Sequence, residues 1–246
     1  MCETSSDLIF SVVIPLHNEA GNINRLLREV RDALDPVVDY EVICVNDGSR
    51  DGTLTELLKA SEYLPRLRIM THEERCGQSY ALRTGVEAAR GSWIITLDGD
   101  GQDDPASIPD LINTLLRYGE GSVVICGHRV RRRDEFIRRL SSRLARAGRA
   151  MLLGDSTPDA GCGLKIFSKR MFQDLPFFDH MHRFLAALAR SCGAEIISVP
   201  VNHRPRAQGV SHYGVGNRLW VTIADLLGVM WLQRRMRMRH AKEIVK

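Results

Sequence analysis

Short apolar runs alternate with stretches of helical period through the first half of the chain, and this alternation constrains the fold more than any other feature. SVVIP (Ser11 to Pro15), YEVICVND (Tyr40 to Asp47), RLRIM (Arg66 to Met70), SWIITLD (Ser92 to Asp98) and SVVICG (Ser122 to Gly127) read as strands. Between the first two, Ile23, Leu26, Leu27, Val30 and Leu34 recur on one face of a helix. Between the third and fourth, GQSYALRTGVEAARG predicts a helix that starts near Gly77 and is capped at Gly91. Strands joined by helices form a parallel sheet, so the chain is an α/β protein whose ligands belong at the carboxyl ends of the strands.

Three polar clusters fall at such ends: His17 to Glu19, Asn46 to Ser49, and Asp98 to Gln102. Taken singly, each has a structural explanation. Asn18 can cap the helix that follows, and NDGS can be a tight turn. Together, after successive strands of one sheet, they converge on one crevice. The stretch TLDGDGQDDP places four aspartates after a buried strand. Their repulsion calls for a metal ion with a phosphate behind it, or for an exposed acidic turn. Asp103 and Asp104 read as turn and helix-cap residues, with Pro105 opening the next helix. The chain has neither a GxxxxGKS loop nor a GxGxxG fingerprint, which argues against a P-loop NTPase or a dinucleotide dehydrogenase.

An apolar share of 44% and a charged share of 26% exclude disordered and fibrous classes. The net charge of +4 is unevenly placed. Residues 129–149 carry nine arginines against Asp134 and Glu135, and residues 234–246 carry six basic residues against Glu243. An acidic body with two basic patches suits an anionic surface or ligand, though solvated helix faces also produce such runs. Six scattered cysteines with no CxxC spacing indicate free thiols in a reducing compartment. MCETSSD lacks the apolar core of a secretory signal, and LWVTIADLLGVMWL, the nearest approach to a membrane span, is too short and carries Asp225.

VVIPLHNE, VNDGSRDGT, the GQSYALRTGVEAARG helix and DGDGQDDP, followed by DAGCGLKIFSKR and RAQGVSHYG, resemble family 2 of the inverting glycosyltransferases, which have the GT-A fold. The motifs run in unbroken order over about residues 10–235. Within that family the chain is most similar to the branch that moves a sugar from a nucleotide to a polyprenyl phosphate, as dolichyl-phosphate mannose synthase does. The resemblance implies a Rossmann-like domain over residues 1–217, and residues 218–246 read as an amphipathic membrane-interface helix with a basic tail. It also implies roles. Pro15, His17 and Glu19 match the segment that lines base and ribose, and Asp47 matches the carboxylate that bonds the base. Asp98 matches the residue that faces the nucleotide, and Asp100 and Gln102, with Asp98 adjoining, match the holders of Mg²⁺ or Mn²⁺. Hard oxygen ligands suit those ions. Arg206, Ser211 and His212 match a loop that closes on the donor diphosphate, although His212 stands where lysine is common. Arg204 or Arg206 could supply the missing charge.

A sugar hydroxyl needs a general base to accept its proton, whereas a phosphate acceptor is already an anion and needs cations. The resemblance assigns that task to Arg129 with Arg138 and Ser142, one helical turn apart, and Arg139 with Arg143 offers a competing register. Asp159 matches a carboxylate near the acceptor, or pairs with a nearby arginine. Lone histidines such as His72 and His240 read as surface residues. In the C-terminal stretch Leu219, Trp220, Ile223, Leu226, Leu227, Met230 and Trp231 share a stripe, followed by RRMRMRH. Such a helix suits an anionic membrane surface, or packs on the core or a second subunit. The chain is therefore expected to be a cytoplasmic glycosyltransferase held at the inner face of the cytoplasmic membrane, using a nucleotide sugar and a polyprenyl phosphate and no nucleic acid. Catalysis would rest on Asp100 and Arg129. Transfer to a glycan hydroxyl and non-catalytic nucleotide-sugar binding are the alternatives.

Overall fold

A computed structural model describes residues 10–119, 121–130, 152–154, 157–204 and 215–236, with 215–222 as backbone only. Seven strands form one sheet: β1 (Phe10–Leu16), β2 (Tyr40–Asp47), β3 (Leu67–His72), β4 (Trp93–Thr96), β5 (Val123–Arg129), β6 (Lys165–Ser168) and β7 (Glu195–Val201). Their order is β3-β2-β1-β4-β6-β5-β7. β1 pairs in parallel with β2 and β4, β2 with β3, and β5 with β7. Only β6 runs antiparallel, between β4 and β5. The strand order reverses between β1 and β4, so the crevice outside their carboxyl ends is the switch point where open α/β sheets bind ligands.

Helices cover both faces, which is why the strands read as unbroken apolar runs. On one side Val12, Ile14, Val42 and Ile95 pack against α1 (Ala20–Leu34), α2 (Thr53–Tyr63) and α4 (Ile108–Tyr118). On the other, Val13, Ile43, Val45 and Ile94 pack against α3 (Gln78–Ala88), α5 (Lys169–Asp174) and α6 (Leu185–Ser191). The same side takes one face of α7 (Val215–Arg235). The α1 stripe is buried as its periodicity predicts.

Three local expectations are corrected. α3 ends at Ala88 because Ala89 is extended, and Gly91 caps nothing; its N–H donates to Ser11 Oγ at 2.9 Å. Asn18 does not cap α1. It sits at φ 57° and bonds across to the β2 turn instead, so Glu19 precedes the helix without a side-chain cap. His72 is no surface residue, since its side chain is only 15% exposed and bonded at both nitrogens.

The apolar stripe of α7 divides between core and solvent. Val229 is buried, and Leu226, Met230 and Leu232 pack against the core, while Ile223, Leu227 and Trp231 are exposed one turn apart. Asp225 bonds His180 Nδ1 at 3.0 Å, which fastens the helix to the segment before α6. No helix among the described residues is long and apolar enough to cross a membrane.

Candidate active site

The carboxyl ends of β1 and β2 are knitted into one wall. Asn18 N–H donates to Ser49 Oγ (3.0 Å), and Arg50 N–H donates to Asn18 Oδ1 (2.8 Å). The His17 Nδ1–H donates to the Asp47 carbonyl at 2.6 Å. Gly48 turns the chain at φ +57°, and a Cβ there would lie 2.4 Å from the Arg75 backbone nitrogen. Only glycine meets both conditions. The groove above, about 430 Å³, is lined by His17, Asn18, Ser49, Arg50, Glu73 and Arg75, among others.

Asp47 ends β2 at this wall, is 3% exposed and is not among the residues that line the groove. Its Oδ1 accepts from His72 Nδ1 and the Cys76 amide, and its Oδ2 accepts from the Gly77 amide, each at 2.8 Å. Burial alone would raise its pKa, but these three bonds outweigh it and hold the carboxyl below its usual range. His72 Nε2 lies 2.9 Å from Thr84 Oγ1, so the ring is hydrogen-bonded at both nitrogens.

The second wall follows β4. Asp98 Oδ1 accepts from Gln78 Nε2 at 2.9 Å, and its carboxylate rests against Gly163, where a Cβ would come within 2.4 Å of Cγ. Low solvation, then the neighbouring Asp103 and Asp100 charges, push the Asp98 pKa up to about 7. Asp100 Oδ1 accepts from the Gln102 amide at 3.0 Å. Asp104 is the expected cap, accepting from the Ala106 amide at 3.1 Å above the turn Pro105–Ser107. Asp103 is not a turn residue: it forms an isolated antiparallel bridge with His203, is 2% exposed, its Oδ2 has no hydrogen-bond partner among the described residues, and burial raises its pKa. Arg204 Nη1 and Nη2 donate to Glu29 and Asp104 respectively, so this arginine anchors the turn.

These aspartates fit a hard divalent ion in their donor atoms and in the orphaned, buried Asp103 oxygen. Three of them do not converge. Among the described residues the only His, Cys, Asp or Glu trio with ligand atoms within 4.8 Å of one another is Asp47, His72 and Cys76, which is already hydrogen-bonded. A magnesium-type site needs only one or two carboxylates when phosphates and water supply the remainder.

Behind Asp98 lies a cavity of about 340 Å³ lined by Pro15, Gln78, Gly163, Lys165, His182 and Arg183, with other residues. Pro15 thus faces this cavity and does not line the groove over Asp47. Glu19 also stays off both linings, with Oε2 accepting from Asn22 Nδ2 at 2.7 Å. At the end of β5, Arg129 grips Asp159 with Nε (2.5 Å) and Nη2 (2.8 Å). That fork raises the arginine pKa further. The side chains are 17% and 6% exposed. Arg138, Ser142, Arg206, Ser211 and His212, with the competing Arg139 and Arg143, lie outside the described residues.

Sequence reasoning placed His72 on the surface and Asp103 in a turn, and it missed Gly163, Lys165, His182 and Arg183. Gly163 and Lys165 stand inside the DAGCGLK segment already singled out, but HMHR carries no pattern that marks it.

A model of glycosyl transferase family 2 matches residues 11–176. A dodecaprenyl-phosphate galacturonate synthase of Rhizobium johnstonii is 35% identical over 92% of this chain and 68% of its own length. An undecaprenyl-phosphate 4-deoxy-4-formamido-L-arabinose transferase of Aeromonas hydrophila is 32% identical over 84% of this chain, which spans 63% of that relative. In three dimensions the chain is similar to glucosyl-3-phosphoglycerate synthase from Mycobacterium tuberculosis, solved with Mn²⁺, UDP-glucose and phosphoglyceric acid. The TM-score is 0.65 at 20% identity, covering 92% of this chain and 79% of the other. The mainly parallel seven-stranded sheet is therefore the GT-A sheet, and the chain belongs to glycosyl transferase family 2.

Proposed function

We propose that this glycosyltransferase moves one sugar, with inversion, from a UDP- or GDP-sugar to a polyprenyl phosphate. The observation that carries this reading is the Arg129–Asp159 fork. Transfer to a hydroxyl needs a carboxylate base, and Asp159, the one candidate offered by the sequence, is buried and doubly bonded to a guanidinium. A phosphate acceptor needs no base. Arg129 keeps its Nη1 hydrogens beyond the fork for such an anion. Relatives named as dodecaprenyl- and undecaprenyl-phosphate sugar transferases, matching more than four-fifths of the chain, support the same acceptor.

In this mechanism the groove over Asp47 takes the base, and the cavity behind Asp98 takes the sugar. A phosphate oxygen of the acceptor attacks the anomeric carbon. The bond from that carbon to the nucleotide diphosphate breaks, and the diphosphate leaves with the electron pair. No proton need move. Asp98, Asp100 and Gln102 would hold Mg²⁺ or Mn²⁺, whose chemistry is to offset charge on the leaving diphosphate. The fixed walls contribute orientation and exclusion of water.

The exposed face of α7 brings the enzyme to its lipid. Ile223, Leu227 and Trp231 present an apolar stripe, and Arg234 and Arg235 follow on exposed positions, a combination suited to peripheral association with an anionic membrane surface. The test mixes purified protein, Mn²⁺ and labelled nucleotide sugars with undecaprenyl phosphate in vesicles. Label is expected in the lipid phase and its transfer lost in Asp100→Ala. Label entering only a free glycan, or turnover that survives Asp100→Ala, overturns the reading.

A further inference from the structure

Two buried polar side chains face each other in the cavity behind Asp98. β4 and β6 pair Thr96 with Lys165, and side chains directly opposite on one face of an antiparallel pair are about 5 Å apart at Cβ. The face is the one covered by α3 and α6, because Ile94 and Phe167 pack on that side while Ile95 and Ile166 pack on the other. Both residues line the cavity, and each is 7% exposed. Asp98 comes two residues after Thr96 and rests against Gly163, two residues before Lys165. Thr96 and Lys165 therefore lie roughly 7 Å further into the sheet, as the cavity floor.

The hydrogen-bond roles on this floor are determined by the partners. Lys165 Nζ donates to the Cys162 carbonyl, and among the described residues its side chain has no other hydrogen bond and no ion pair. An ammonium has three N–H donors and no acceptor, so two donors remain. Burying them without a partner is costly. Thr96 donates its one hydroxyl proton to the Gly163 carbonyl at 2.5 Å. A carbonyl oxygen only accepts, so that proton is placed and Oγ1 is left with lone pairs.

A floor with donors on one residue and an acceptor on the next matches a group that does both. A carboxylate or a fully ionised phosphate only accepts and would set its lone pairs against those of Thr96. A hydroxyl accepts from Lys165 and donates to Thr96. We infer that Thr96 and Lys165 together read one hydroxyl of the transferred sugar, on the side of the ring opposite its anomeric carbon. The anomeric carbon faces the diphosphate at the Asp98 end, which turns the oxygen on C3, C4 or C6 toward the floor. This rests on the reading that the cavity behind Asp98 holds the donor's sugar.

Binding is measured without acceptor, by calorimetry in Mn²⁺, on UDP-glucose, UDP-galactose and GDP-mannose against UDP and GDP. The tightest of the three is then compared with its 3-, 4- and 6-deoxyfluoro analogues, in which fluorine cannot donate and accepts poorly. In the wild type one of these analogues is expected to bind about 10- to 100-fold more weakly than its parent, the range for a hydrogen bond to a charged group. Lys165→Met should weaken the parent by a similar factor, leave UDP and GDP within about twofold, and reduce the cost of that fluorine to less than about threefold. Thr96→Val should act in the same direction by a smaller factor, about 2- to 10-fold, as for a neutral hydrogen bond. A wild type in which no fluorine costs more than about threefold, or no nucleotide sugar binds tighter than its bare nucleotide, overturns the inference whether or not the variants fold. So does a Lys165→Met variant that weakens UDP and GDP as much as the sugar donors, which would put the ammonium on the diphosphate. If Lys165→Met leaves donor binding intact and raises KM for undecaprenyl phosphate, the inference and the placement of the sugar in this cavity fall together. The expected donor pattern without any transfer to prenyl lipid would sink the proposed acceptor and leave this inference standing.

Discussion

The two walls of the crevice are built on opposite principles. Over β1 and β2, Asp47 has three donors, His72 is bonded at both nitrogens, and each polar loop is tied to its neighbour. Over β4, Asp98 is pushed up to about 7 and Asp103 has an oxygen with no partner, in a region that Lys165 and Arg129 offset only in part. A satisfied wall is rigid before its ligand arrives. A wall with uncompensated charge is expensive to fold and is completed by what it binds, and functional sites are where such local conflict is expected. The first should therefore contribute uniform binding, and the second should contribute to the chemical step.

The largest effect is expected at Gly163. An alanine Cβ would lie 2.4 Å from Asp98 Cγ and 2.5 Å from Oδ2, so Asp98 must leave its place. Gly163→Ala should lower kcat by about 10²–10³-fold, the scale for losing one preorganised electrostatic group, with little change in donor KM. Folding should persist, because the carboxylate displaced is itself unfavourably placed. If kcat stays within a factor of about two while KM rises, the division between the walls is wrong.

A smaller effect of the opposite kind belongs to His72. His72→Phe removes one of the three donors to Asp47 and strands the Thr84 hydroxyl, at a cost of about 1–3 kcal/mol in stability. The Cys76 and Gly77 amides keep the carboxylate in place, so donor KM should rise by about 5- to 10-fold with kcat nearly unchanged. Steady-state kinetics on both variants settles the comparison, since the two predictions move different constants.

The satisfied wall was also the legible one. Its residues come from HNE and NDGS, adjoining strands whose apolar runs announce them, and local turn chemistry does most of the work there. His72 was read as a surface residue because its partners, Asp47 and Thr84, meet it only through parallel pairing of β2 with β3 and the return of α3. The other wall depends on longer reach. Gly163 and Lys165 flank the start of β6, a reversed strand of only four residues that no periodicity could reveal. His182 and Arg183 arrive on a short turn held from Ser79 and, through His180, from Asp225, contacts 103 and 45 residues apart in the chain. The stripe on α7 shows the same limit. Its apolar residues were visible, but not that Leu226 and Met230 face the core while Leu227 and Trp231 face out.

The smallest effect concerns acid stability. Burial, with the Arg183 charge next, lowers the His182 pKa from 6.5 to about 3, so the folded ring stays neutral where the unfolded ring binds a proton. The sign follows from that difference. Above pH 6.5 both states are neutral and His182 contributes its full share, and as pH falls from 6.5 toward 3 the unfolded state gains a proton that the folded state refuses. Stability is lost through that window with a slope of up to about 1.4 kcal/mol per pH unit from this residue. Chemical denaturation of wild type and His182→Gln at pH 7, 6, 5 and 4 isolates the slope, because the acidic groups common to both proteins cancel in the difference. The two curves should converge, or cross, as the medium becomes more acid. Parallel curves would mean that His182 takes up its proton as readily in the folded protein as in the unfolded chain, and a ring so easily charged on that wall would place it among the satisfied groups and erase the contrast between the walls.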